Sequence, residues 1–174
     1  MKTNVIGDKS SFAIEFAEII PDWGPPEGAA KSGICAIWLA GHKLHEEGNT
    51  LYLDGLLPDF QCLVNAEVTT GNPLPATTSA NELLLEMEQK EELTPHVLLY
   101  TGGFDDFLTL FSKGPEYTTF LWAVRPIVAK FDEYRHYPKD VQKVLVKNED
   151  IRRVVEGFAD ALKAMKEKPV ARNP

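Results

Sequence analysis

Apolar residues recur with period two at Phe12, Ile14 and Phe16, separated by small or charged positions, which predicts a strand with one buried face. Residues 34–40 form an unbroken apolar run between Gly33 and Gly41, as expected of a central strand covered on both faces. The pattern carries this second strand on through Gly41-His42-Lys43-Leu44-His45, reverses it at 46–49, and returns it as a third strand over Thr50-Leu51-Tyr52-Leu53. Residues 20–33, which join the first two strands, hold three prolines and predict an irregular loop.

The period then changes to that of a helix. Pro58 suits a first helical position, with Asp59 beside it to complement the positive end of the helix. Phe60, Leu63, Val64 and Val68 share a face and Gly71 is the expected stop, followed by a loop over 69–78. Ser79-Ala80-Asn81-Glu82 has the capping-box pattern, and Ala80, Leu83, Leu84 and Met87 behind it predict a second helix to about Leu93, ended by Thr94-Pro95. The apolar stretch 96–101 fits a strand or a helix. Residues 104–111 and 117–124 predict two strands joined at 112–116, with Phe107, Thr109 and Phe111 on one face of the first and Leu108 and Leu110 on the other. A short strand at 141–146 precedes a long amphipathic helix. Asn148 is its expected N-cap, Ile151, Val154, Val155, Phe158, Leu162 and Met165 its apolar stripe, and Pro169 its stop. Residues 169–174 are expected to form a disordered tail. The order β-β-β-α-α-β-β-β-α with hairpin-length links predicts an α+β fold: an antiparallel sheet of about five to seven strands, two or three helices packed on one face, and one domain over residues 1–168.

Composition narrows the function classes. The chain has 174 residues, 44% apolar and 25% charged, which excludes a disordered or fibrous protein. Met1–Ile6 shows no apolar signal region, and no apolar run approaches the eighteen or so residues of a membrane span, so a cytoplasmic location and no membrane partner are expected. The net charge of −8 is uneven: residues 1–129 hold 7 Lys/Arg against 18 Asp/Glu, and residues 130–174 hold 11 against 8. Such an acidic surface repels nucleic acid and draws basic proteins towards itself.

The candidate chemistry is sparse. Cys35 and Cys62 lack C-x-x-C spacing and are expected to be buried thiols that pack as small hydrophobes. His42 and His45, followed by Glu46 and Glu47, invite a metal, but residues three apart on a strand face opposite ways and are read as polar surface groups. Asp105 and Asp106 would make an acid–base pair only if they converged, and neighbours on a strand diverge. Phosphate-loop, dinucleotide, serine-hydrolase and zincin motifs are missing from the sequence, and no cofactor is expected. Glu82, Glu86, Glu88, Glu91 and Glu92, opposed only by Lys90, form either a solvated helix face or an acidic patch for a basic protein surface.

The opening Gly7-Asp8-Lys9-Ser10-Ser11-Phe12-Ala13-Ile14-Glu15-Phe16, followed by Trp38-Leu39-Ala40-Gly41, resembles the immunity protein 42 family of bacterial polymorphic toxin systems. Leu108-Thr109-Leu110-Phe111, Phe120-Leu121-Trp122, the valine-rich strand and the closing helix extend the resemblance to the far end of the chain. The loop at 20–33 stands as an insertion relative to the shorter connection of that family. The resemblance implies a cytoplasmic immunity protein, monomeric or weakly dimeric, that binds and neutralises a cognate toxin domain without chemistry of its own. The toxin would be basic, and Glu82, Glu86, Glu88, Glu91 and Glu92 its docking patch. Two other classes stay open on the residues alone. One is a small hydrolase or metal-dependent enzyme built on Asp105, Asp106, His42 or His45. The other is a structural adaptor with a large exposed apolar patch and stable self-assembly.

Overall fold

Ala40 and Gly41 both adopt positive φ, 49° and 86°, and turn the chain back on itself. Consecutive left-handed residues make the tight turn whose twist matches a hairpin. The apolar run is therefore not one long strand. It ends in β3 (Ser32–Leu39), and the expected extension through His45 is a separate short strand, β4 (His42–Leu44), paired antiparallel to it. The computed structural model describes residues 3–19, 31–45, 49–71, 73–98 and 104–167. Most of the loop expected at 20–33 and of the reversal at 46–49, residues 99–101 of the 96–101 run and the expected tail lie outside the described residues.

The class is α+β, with eight antiparallel strands and three α-helices among the described residues. The strands divide between two sheets instead of forming one. The first has the order β1 (Asn4–Asp8), β2 (Phe12–Glu18), β3, β4, and β5 (Leu51–Tyr52) shares the far edge of β3 with β4. The second has the order β6 (Phe107–Lys113), β7 (Tyr117–Val124), β8 (Gln142–Lys147). β1 lacks an alternating apolar pattern, since its residues are largely exposed, and it forms through its ladder to β2. Gly7 in this strand has φ 101°, and a Cβ there would lie 2.6 Å from Val154 Cγ2 and 2.4 Å from the Phe12 carbonyl oxygen. Only glycine lets β1 come so close to the last helix.

Three α-helices among the described residues pack on this frame. α1 spans Leu53–Asn65 and starts five residues before Pro58, which lies inside it. An interior proline costs about 3 kcal/mol. Burying Leu53 and Leu56, 0% and 1% exposed, returns about 1.5–3 kcal/mol each, and Asp54 in the first turn binds Lys166 at 2.7 Å. Residue 71 does not stop this helix. It ends at Asn65, leaving Val68 51% exposed. α2 spans Ala80–Gln89, and a 3-10 segment, Glu91–His96, replaces its expected last turn. Ser79 caps α2 by accepting from Glu82 N. The Glu82 carboxylate does not reach back to Ser79 but accepts from Thr77 Oγ1, and that same hydroxyl takes the Ser79 N–H. α3 spans Asn148–Glu167. Asn148 is its first residue, and its amide is engaged elsewhere: Nδ2 donates to the Gly114 carbonyl and Oδ1 accepts from Thr118 Oγ1.

The main core lies between the inner face of the first sheet, α1, α3 and one face of the second sheet. Phe12 stacks on Phe120 at 6.0 Å, and Phe158 meets Phe16 and Phe60 edge-on at 5.1 and 5.4 Å. Alternation along β6 separates two environments, as its pattern predicts. Phe107 and Phe111 enter the main core, while Leu108 and Leu110 join Leu83, Leu93 and Leu121 in a second cluster under α2. The helices therefore do not all share one face: α2 covers the far side of the second sheet.

Candidate functional site

The outer face of the first sheet carries a charge cluster. Register places Ala13 opposite Trp38, Glu15 opposite Ala36, and Trp38 opposite Lys43. Glu15 accepts from Trp38 Nε1 at 2.9 Å and pairs with Lys43 at 2.9 Å and Lys9 at 2.5 Å, and the Lys9 ammonium sits 4.3 Å from the Trp38 ring. Partial burial alone would raise the Glu15 carboxyl, but these three donors outweigh it and hold its pKa down to about 2. Held ionised by these three donors, the carboxylate ties Lys9, Trp38 and Lys43 together on the sheet and is not poised for proton transfer near neutral pH. Sequence reasoning missed the cluster because strand register brings Glu15 and Lys43 together with Trp38, and the β1–β2 turn adds Lys9.

The histidines and aspartates do not converge. His42 packs its ring on Trp122 at 5.1 Å, whereas His45 Nδ1 lies 3.0 Å from the Cys35 carbonyl oxygen. Among the described residues no group of three or more His, Cys, Asp or Glu side chains is placed to hold a metal ion. Asp105 is exposed, and Asp106 accepts from the Tyr134 hydroxyl. Cys35 is buried as expected, and burial pushes its thiol pKa up. Cys62 is exposed, contrary to expectation, because Leu53, Leu56, Phe60 and Leu63 form the buried stripe of α1 and residue 62 falls outside it.

Glu82, Glu86 and Glu88 lie on α2 as expected, whereas Glu91 and Glu92, expected in its last turn, stand on the 3-10 segment beyond it. Glu82, Glu88, Glu91 and Glu92 are exposed; Glu86 is half-buried and its carboxylate binds Lys90 at 2.6 Å. At about 100° per residue, Glu82 and Glu86 share one flank of α2 and Glu88 lies on the other. Leu85, 50% exposed, stands between them.

A cleft of about 720 Å³ opens between the start of α2 and the crossover from β7 to β8. Val124, Tyr134 and Tyr137 form its floor, and Lys130, Arg135, Lys139, Asn81 and Asp140 stand exposed around it. The floor is anchored from behind. Tyr134 donates to Asp106, Tyr137 donates to the Lys43 carbonyl, and Phe107 meets both rings edge-on at 6.1 and 5.3 Å. The Val141 N–H donates to the Thr78 carbonyl at 2.8 Å and ties the α2 side of the cleft to β8. Arg125, between Val124 and Pro126 of the lining, has a buried Nε without a hydrogen-bond partner among the described residues. In the sequence the crossover has no periodic pattern, so this site was not legible there.

No family model and no curated protein sequence matches the chain. Among solved structures, the fold is similar to that of CdiI from Burkholderia dolosa AUO158, with a TM-score of 0.58 and 15% sequence identity. The match covers 91% of this chain and 99% of that one. At this identity the likeness is one of fold. No helix among the described residues is long and apolar enough to cross a membrane.

Proposed function

We propose that the chain is an immunity protein that binds a cognate toxin domain stoichiometrically in the cytoplasm and neutralises it without chemistry of its own. The observation that carries this reading is the match of nearly the whole fold to CdiI, a contact-dependent inhibition immunity protein. The strand patterns that resemble the immunity protein 42 family support the same class. An enzymatic reading finds less support, since Asp106, His42 and His45 are engaged by Tyr134, Trp122 and the Cys35 carbonyl in separate contacts.

The acidic bias supports a basic toxin surface. On this reading Glu82, Glu86, Glu88, Glu91 and Glu92 act at long range, raising the rate of encounter more than the lifetime of the complex. The test is co-expression with the toxin domain encoded by the neighbouring reading frame. Rescue of growth, together with co-purification as one complex, is the expected outcome; a toxin that kills equally with or without this chain refutes the function. Size-exclusion chromatography of the free protein should give a monomer or a weak dimer, whereas stable higher assembly favours an adaptor.

A further inference from the structure

We infer that the cleft between α2 and the β7–β8 crossover is the docking site for an acidic, apolar-tipped segment of the toxin, an inference that rests on the immunity reading above. Three features support it. The floor is apolar and aromatic, and its rim is charged, the layout of an interface centre where aromatic anchors exclude water and charges fix register. The charge of the lining is mainly basic: Lys130, Arg135 and Lys139 stand against Asp140, and with Arg135 paired to Asp132 the cations left are Lys130 and Lys139. That local bias runs against the chain's net charge of −8 and agrees with the basic balance of residues 130–174, 11 Lys/Arg against 8 Asp/Glu. Arg135 is held by Asp132 at 2.8 Å, whereas Lys130 lies over the Phe131 ring at 5.5 Å.

Apolar surface continues past the mouth of the cleft. Ile127 is 71% and Phe131 47% exposed, and both sit in the crossover turn beside the lining residues Pro126, Ala129 and Lys130. A small molecule in the cleft would leave these two side chains in water; a protein segment lying across the mouth would cover them. Charge complementarity then sets the chemistry of the segment: a carboxylate between Lys130 and Lys139, and an apolar side chain on Tyr134 and Tyr137. Because Asp106, the Lys43 carbonyl and Phe107 already fix those tyrosines, the site is formed before the partner arrives and little ordering cost attends binding. The division of labour follows: the glutamates of α2 govern encounter, and the cleft governs residence.

The test measures binding of the neighbouring-frame toxin domain, made inactive, to the wild type and two cleft variants, Lys130→Glu/Lys139→Glu and Ile127→Ser/Phe131→Ser. All four positions are exposed, so both variants should melt within a few degrees of the wild type. Each should weaken binding at least tenfold, chiefly through faster dissociation, and Ala substitution of the exposed Leu145 should leave it unchanged. Cleft variants that bind as tightly as the wild type overturn the inference and leave the immunity reading standing. A wild type that binds no toxin overturns both. Tighter binding by the Lys→Glu variant also refutes it, because the segment would then be basic.

Discussion

Replacing Glu15 with Gln removes the charge from the cluster on the first sheet while keeping the side chain's shape. In the folded protein the carboxyl pKa is about 2, against an ordinary value of 4.5, which read directly as free energy is about 3 kcal/mol. Lys9 and Lys43 remain 42% and 36% exposed, so water screens both pairs and the contribution falls to about 1–2 kcal/mol. Its sign follows from the lowered pKa. The stabilisation is full above pH 4.5, declines as pH falls, and is lost below about pH 2, where the carboxyl is protonated folded or unfolded. Urea unfolding of the wild type and Glu15→Gln between pH 2 and 7 isolates this group, since other titrations cancel in the difference. The gap should be about 1–2 kcal/mol at pH 7, close on approaching pH 2, and shrink in 1 M salt, where the screening length is about 3 Å. A gap that is constant with pH would show that the cluster contributes through packing rather than charge, and a variant more stable at pH 7 would show that the charge does not stabilise the fold.

Phe158→Ala should cost about 3–5 kcal/mol and shift the urea midpoint by more than about 1 M, because the ring is fully buried between Phe16 and Phe60; a shift under about 0.5 M would mean the core closes over the gap. Thiol reagent at neutral pH should modify one cysteine, Cys62, in the folded protein and both in urea, and fast folded-state modification of Cys35 would contradict its burial. Reversing Glu82, Glu86 and Glu88 to lysine should slow association with a basic toxin at least tenfold at low salt with little effect on dissociation, as stopped-flow measurements at two salt concentrations would show; a salt-independent, unchanged rate would make α2 a solvated face.

Elements whose signals are local could be read from the sequence. The apolar stripe of α3, the alternation of Phe107 and Phe111 against Leu108 and Leu110, and the Ser79 cap all follow from periodicity and one hydrogen bond within a turn. The α+β class follows from the order of such elements. Features set by competing or distant contacts were not legible. The start of α1 moved ahead of Pro58 because burial of Leu53 and Leu56 outweighs a proline penalty that a local pattern treats as decisive. β1 exists because β2 offers it a ladder, which its own exposed and non-alternating residues do not announce. The same limit hid both clusters of interest. Glu15 and Lys43 meet across the β2–β3–β4 register with Lys9 reaching in from the β1–β2 turn, and the cleft joins residues 78–81 to 124–140, segments whose proximity is decided only when the second sheet receives α2 on its outer face. Short-range patterning determines which elements form; long-range packing, whose energy is spread over many weak contacts, determines which side chains share a surface.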